Sequence, residues 1–191
     1  MKIQKGQPGY LKTQTKKLLI QSLIGFGIVI ALLVTGYVQT GTKLNWLTFI
    51  AVLGCLPAAK VLVGLITILP YRSIDLAKAK EIKEKAPLLT TAFDMVITSR
   101  EKIMPVDAIV ISNHTICGFA GNKKTNPEEL ANHIKNILGE NQFSKITVKI
   151  FPDYKAFLSR AEGMNNIAQI EKEDNRKREK MMRQIILNIS M

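Results

Sequence analysis

The stretch PVDAIVISNHTICGFAGNKKTNPEEL, from Pro105 to Leu130, decides the fold that the sequence predicts. The apolar runs DAIVIS and TICGFAG flank Asn113 and His114. Two apolar runs joined by a two-residue turn are typical of a β-hairpin. After the second run, Asn126 and Pro127 have the residue types of a helix cap and a first helical position. The stretch therefore predicts two strands followed by a helix.

The flanking residues extend this unit to a small α/β domain, predicted over residues 88–163. Within Leu88–Arg100, DMVITS has the composition of a strand, whereas the part before it is compatible with a helix. KITVKIF (Lys145–Phe151) predicts a further strand, and Gly163 is expected to end the helix after it. The order of elements predicts a mixed sheet with helices.

Two apolar runs precede the domain. Leu18–Val38 contains no charged residue, and Trp46–Leu69 contains only Lys60. A helix rises about 1.5 Å per residue, so either run can cross a hydrocarbon core of about 30 Å. We therefore predict a two-helix transmembrane hairpin over 18–69, after a basic segment (1–17) and before a solvated helical stalk (70–87). A cleaved signal peptide is the alternative, but the second apolar run follows too soon.

The positive charges predict how the hairpin is oriented. Of a formal net charge of +12, residues 1–17 hold five lysines and no acid, whereas residues 106–170 are nearly neutral. The loop between the two runs contains only Lys43, so both ends of the hairpin are expected in the cytoplasm. A basic nucleic-acid-binding face is not expected, because most of the excess charge lies beside the apolar runs.

Lys60 is the candidate intramembrane functional residue. A central lysine costs about 2.5–3.5 kcal/mol on insertion, which the apolar residues around it outweigh. Neither apolar run contains an acid. Lys60 therefore either extends toward the membrane surface or pairs with an acid of another molecule.

Residues 164–191 are predicted to form a basic amphipathic helix. Met181, Ile185 and Ile189 are spaced as one apolar row, and Met182 and Ile186 lie beside it. A helix of this kind binds a membrane surface, a partner groove or its own domain. The candidate contacts to membrane or partner are Arg176, Lys177, Arg178, Lys180 and Arg183.

The order α-β-β-β-α-β, with Asp107 opening the middle strand and TNPEELANHIKNIL…ITVKIF closing the unit, resembles the nuclease-related (NERD) branch of the PD-(D/E)xK superfamily over residues 88–151. The resemblance implies a restriction-endonuclease-like sheet. It also implies that one acid on each hairpin strand binds Mg²⁺ and that a lysine two residues after the second acid positions the attacking water. Asp107 matches the first acid by position. The second strand, Thr115–Asn122, contains no Asp or Glu.

Other catalytic constellations are not apparent in the sequence. His114 and His133 have no ligand spacing with Cys55 or Cys117, and no phosphate-binding glycine loop occurs. We therefore expect no cofactor and no metal, and an enzyme is the less favoured class.

The sequence favours a membrane-anchored, non-catalytic binding or scaffolding module with its α/β domain in the cytoplasm. The first alternative is a membrane-tethered nuclease-like hydrolase, in which Asp107 would be catalytic. The second is an accessory subunit of a membrane transport complex. The expected partners are membrane lipids and either another protein or a second copy of the chain.

Overall fold

The computed structural model describes residues 3–42, 45–99, 102–171 and 175–191. The chain forms two compact units. The first is Leu11–Arg72, called the helical hairpin below. The second, called the α/β domain, combines the residues up to Tyr10 with those from Ser73 onward.

The helical hairpin contains α1 (Tyr10–Thr40) and α2 (Trp46–Ile68). The most apolar 18-residue windows of the two helices have mean hydropathies of 2.5 and 2.3, and only 11% and 17% of those windows are buried. Both helices are thus long and apolar enough to cross a membrane, as predicted. α1 begins eight residues before the apolar run at Leu18, because the polar residues after Gly9 are mostly good helix formers.

The two helices present buried residues at a seven-residue spacing. These residues are Ser22, Val29 and Gly36 on α1 and Ala51, Ala58 and Leu65 on α2. A Cβ atom added to Gly25 would lie 3.3 Å from the Cβ of Ala58. Small residues therefore allow the two backbones to approach closely, as in packed membrane helices.

The α/β domain contains four strands and four helices in the described residues. They are α3 (Leu76–Lys85), β1 (Thr90–Thr98), β2 (Ile103–Ser112), β3 (Thr115–Phe119), α4 (Pro127–Glu140), β4 (Thr147–Phe151), α5 (Tyr154–Glu171) and α6 (Arg176–Asn188).

The strands form one mixed sheet in the order β1-β2-β3-β4. The first two pairs are antiparallel, and β3 pairs with β4 in parallel. The predicted hairpin turn is confirmed, because Ser112 pairs with Thr115 across Asn113, whose φ is +45°. Within the ambiguous segment at 88–100, Thr90–Thr98 form β1. A mixed sheet flanked by helices is therefore present.

Each face of the sheet is covered by two helices. One core contains residues of α4 and α6, among them Leu130, Ile134 and Met182. The other contains residues of α3 and α5, among them Ile82 and Phe157. The stalk predicted over 70–87 is therefore not free in solvent, because its helix is a layer of the domain.

The segment predicted as one helix over 164–191 is two helices among the described residues. α5 continues through Gly163 to Glu171, because Met164 and Asn165 extend its buried face. The Asn165 Oδ1 atom accepts a hydrogen bond from the Leu88 N–H at 3.0 Å. This packing outweighs the roughly 1 kcal/mol that glycine costs inside a helix.

α6 packs on its own domain with most of the predicted apolar residues, and Ile185 and Ile189 of the predicted row are partly buried against the same core. Met182, Ile186 and Leu187 are buried, whereas Met181 is exposed. The buried Glu179 carboxylate accepts hydrogen bonds from Thr90 Oγ1 and the Asn113 N–H at 2.6 and 3.0 Å. The apolar side of the amphipathic helix α6 is therefore buried against its own domain.

The outer edge of β1 is covered by two other segments, Gln4–Gly9 and Ile189–Met191. Three backbone hydrogen bonds join them to β1, from Phe93 N to Gly6 O, from Thr98 N to Ile189 O and from Met191 N to Val96 O. Gly6 has a φ of +83°, and a Cβ atom there would lie 2.8 Å from an Arg183 nitrogen. Glycine is therefore required at this crossing.

Candidate functional site

Asp107 lies within β2 and is half-buried. Its Oδ2 atom accepts a hydrogen bond from the Gly121 N–H at 2.7 Å. Because Ala108 pairs with Phe119, the position that faces Asp107 from the β3 side is Ala120, which is 2% exposed. Ala120 is not an acid, and its side chain is buried in the core that contains α4 and α6, so β3 supplies no second acid at this position.

A carboxylate does face Asp107 from the opposite side. Phe93 pairs with Ala108 and Met95 with Val106, so Asp94 of β1 stands at the facing position. Sequence reasoning missed this residue because it compared Asp107 only with the second hairpin strand. The one available signal was an aspartate inside a strand-like apolar run.

Asp94 is 1% exposed and has a φ of +52°, a conformation that few residues other than glycine, asparagine and aspartate adopt readily. Its Oδ2 atom accepts from the Gly9 N–H at 2.7 Å, and its Oδ1 atom accepts from the Ile74 N–H at 2.8 Å. Gly9 and Ile74 flank the helical hairpin in sequence. One buried carboxylate therefore fixes both segments that connect the hairpin to the domain.

The surroundings of Asp107 favour its neutral form. Burial raises the pKa of the Asp107 carboxyl above its ordinary value, and the charge of Asp94 raises it further. The Gly121 N–H and the Lys78 ammonium lower the pKa of Asp107, but they do not cancel the increase caused by burial. Within the described ranges, no three His, Cys, Asp or Glu side chains are grouped to hold a metal ion.

The two histidines lie apart from this carboxylate pair. His114 Nε2 lies 2.9 Å from an Arg178 guanidinium nitrogen. Since a guanidinium only donates, this imidazole nitrogen is the acceptor in that contact. His133 Nε2 is buried and has no hydrogen-bond partner among the described residues.

A groove of about 520 Å³ lies between α5 and the neighbouring strands β3 and β4. Cys117 lies at its buried floor, and Lys149 and Arg160 are its charged residues. The hydroxyl residues Thr115, Thr147 and Ser159 also line it. We call it the α5–β4 groove. Sequence reasoning missed it because Lys149 lies on β4 and Arg160 on α5. The two residues come together only when β4 pairs with β3 and α5 packs on the sheet.

The Cys117 thiol in the groove is not activated as a nucleophile. Burial raises the pKa of the Cys117 thiol above its ordinary value, although Arg160 and Lys149 oppose that shift. A protonated thiol reacts slowly, because the thiolate is the reactive form. The groove is therefore better suited to binding an anionic group than to covalent chemistry.

The predicted contact residues of α6 divide into two groups. The Arg183 Nε–H donates to the Thr91 carbonyl at 2.9 Å, and Arg178 lies over the ring of Phe143. These two side chains are therefore used inside the domain. Arg176, Lys177 and Lys180 are exposed.

Lys60 is exposed on α2 and lies outside the buried row of Ala51, Ala58 and Leu65. It forms no ion pair with an acid of the described residues. The hairpin packing therefore leaves the ammonium directed away from that row.

No protein-family model, curated protein or solved structure matches this chain.

Proposed function

We propose that the chain is a membrane-anchored, non-catalytic binding or scaffolding module, with two transmembrane helices and a cytoplasmic α/β domain. The exposed apolar surfaces of α1 and α2 support the anchor, since the core helices of a soluble protein would be mostly buried. The lysine-rich sequences outside the hairpin support cytoplasmic ends.

The α/β domain is proposed to be a nuclease-like frame that has lost its catalytic set. The element order α3-β1-β2-β3-α4-β4 supports this proposal, because the order α-β-β-β-α-β is part of what makes the sequence resemble the NERD branch. The observation that supports a non-catalytic role is the lack of any Asp or Glu in Thr115–Asn122, the segment that would supply the second metal ligand. The Asp107 Oδ2 atom, in addition, already accepts a hydrogen bond from the Gly121 N–H.

A cleavage assay tests the non-catalytic proposal directly. The purified full chain is incubated with Mg²⁺ or Mn²⁺ and with single- and double-stranded DNA and RNA, beside an Asp107→Asn variant as the matched control. We expect no metal-dependent cleavage that the variant lacks. Thermal unfolding with and without metal is the second readout, because an ion at a hundredfold its dissociation constant adds about 2.7 kcal/mol of stability.

The nuclease-like hydrolase remains the second candidate function because Asp94 faces Asp107 and Lys78 acts on it electrostatically. Two carboxylates and a lysine are the residue types that metal-dependent hydrolysis uses. It ranks second because both Asp94 oxygens already accept backbone N–H groups. Cleavage abolished by Asp94→Asn and by Asp107→Asn separately would establish this candidate.

Impermeant thiol labelling of intact cells tests the proposed orientation. A Thr42→Cys variant should be labelled, whereas a Lys135→Cys variant, exposed on α4, should be labelled only after lysis. Cys117 is unsuitable as a reporter because it is buried. Labelling of Lys135→Cys alone in intact cells would reverse the proposed topology.

An accessory role in a transport complex rests on Lys60 alone. The ammonium is exposed on α2, and neither apolar run supplies an acid, so its partner would be the carboxylate of another membrane protein. Lys60→Leu should insert normally and lose that protein on co-purification. Unchanged co-purification would favour simple extension of the lysine toward the membrane surface.

A further inference from the structure

The second edge of the sheet, formed by β4, has no strand beside it in the described part of the chain. Thr147 N donates to His114 O at 2.8 Å, and Phe151 O accepts from Ala120 N at 3.0 Å. Alternate residues of a strand direct their backbone groups to opposite sides, so Thr147, Lys149 and Phe151 point toward β3. Val148 and Ile150 therefore direct their N–H and C=O groups outward from the sheet.

The α5–β4 groove runs along this open edge and is positively charged. Lys149 and Arg160 line it, and no Asp or Glu does. Neither cation lies within 4.0 Å of a carboxylate of the described residues. The groove and the edge therefore offer two kinds of contact side by side, namely outward-facing backbone groups and positive charges that no described carboxylate neutralises.

We propose that β4 and the α5–β4 groove bind an extended acidic peptide segment of a partner protein, which adds to the sheet as a fifth strand. In strand addition, backbone hydrogen bonds supply affinity and alternate side chains supply specificity. Acidic side chains on one face of the peptide would meet Lys149 and Arg160. The inference rests on the proposed binding function and names the class of partner.

The same charges argue against a second copy of this chain as the occupant. If β4 paired with β4 of another copy, the Lys149 side chains would lie on the same face of a continuous sheet and repel each other. Lysine on an edge strand commonly prevents such self-pairing. An acidic partner strand replaces this repulsion with attraction.

The test measures binding of a fluorescent peptide of alternating glutamate and valine to the full chain in discs of zwitterionic lipid. We expect saturable, salt-sensitive binding by fluorescence anisotropy, and none of a lysine–valine peptide. The Lys149→Glu, Arg160→Glu double variant should weaken binding by about tenfold or more. Lys135→Glu, an exposed lysine on α4 at the opposite face of the sheet, is the single-charge control and should bind as the wild type does.

Backbone methylation of the peptide distinguishes strand addition from simple charge attraction. In an antiparallel arrangement the N–H groups of the valines would face Val148 and Ile150, and in a parallel one those of the glutamates would. We therefore expect N-methylation of only one of the two sets to abolish binding. Equal binding of both methylated peptides would overturn strand addition.

Two further outcomes would overturn the inference, and neither is the outcome that overturns the proposed function. The first is no peptide binding at about 1 mM, a concentration at which even weak complexes form. The second is binding of inorganic phosphate or anionic vesicles that the double variant abolishes, without peptide binding. Metal-dependent cleavage of nucleic acid would instead overturn the non-catalytic proposal, whatever the peptide does.

Discussion

The two edges of the sheet differ in what the chain places beside them. The edge of β1 is covered by Gln4–Gly9 and Ile189–Met191, which satisfy its outward backbone groups. The edge of β4 is five residues long and is flanked by a lysine and an arginine. An unpaired edge pairs readily with other strands, so proteins cover it, shorten it or charge it. This domain covers one edge and leaves the other short, charged and available.

Proline substitutions give the largest expected contrast between the edges. At Val96 of β1, proline removes the N–H that donates to Ser190 Oγ at 3.3 Å and places its ring against the covering segment. At Val148 of β4, the lost N–H points outward to an unoccupied edge. We expect Val96→Pro to cost about 3 kcal/mol or more beyond Val96→Ala. Val148→Pro should cost only about 1 kcal/mol beyond Val148→Ala.

Denaturant unfolding of the full chain in detergent, followed by circular dichroism, measures both costs. The alanine variants remove the contribution of side-chain packing, so the comparison reports the backbone alone. Equal costs at the two positions would mean that the edge of β1 is not closed in solution.

Removal of the Asp94 carboxylate tests how firmly the covered edge holds the segments around it. Asp94→Ala leaves the Gly9 and Ile74 N–H groups without their acceptor and puts alanine at a φ of +52°. The expected loss of stability is about 2–6 kcal/mol, because each of the two buried donors left unsatisfied costs about 1–3 kcal/mol. Faster hydrogen exchange at Gly9 and Ile74 should accompany it.

Asp94→Asn is the matched variant for this prediction. Asparagine tolerates a positive φ, but only one of its two side-chain atoms accepts a hydrogen bond. Its stability should therefore fall between those of the wild type and Asp94→Ala. Unchanged exchange at Gly9 and Ile74 in the alanine variant would contradict the assignment of Asp94 as their shared acceptor.

The smallest effect is expected at Asp107, in the strand next to β1. Its folded-state pKa is raised, so the folded protein binds more protons than the unfolded chain between the ordinary and the raised values. Ionised Asp107 therefore costs stability at neutral pH, and that cost disappears as the pH falls through the raised pKa.

Asp107→Asn should consequently stabilise the protein at neutral pH by less than about 1 kcal/mol, since the residue is only half-buried. Unfolding measured from neutral to acidic pH should show this advantage shrinking to nothing. A variant that is less stable at neutral pH would mean that the charged hydrogen bond to Gly121 outweighs burial.

Local signals predicted the hairpin well, because Asn113 and His114 form its turn and Asn126 caps the helix that follows. Contacts between distant residues were not predictable in this way. Asp94 meets Gly9, 85 residues away, and no local pattern indicates that pairing. Gly163 was a misleading local signal because tertiary packing extends α5 beyond it. The α5–β4 groove could not be predicted either, because it depends on the parallel pairing of β3 with β4. The pattern of residues within a single strand does not specify which strand it pairs with.

The covered edge of β1 also constrains the order of events during synthesis. Lys5 Nζ contacts the Ser190 carbonyl, and 185 positions separate the two residues. At about 5–20 residues per second, a ribosome needs roughly ten to forty seconds to make the intervening chain. Both apolar helices are complete long before Ile189–Met191 exist. The outer edge of β1 in the nascent domain therefore stays uncovered on this side until Ile189–Met191 have been made.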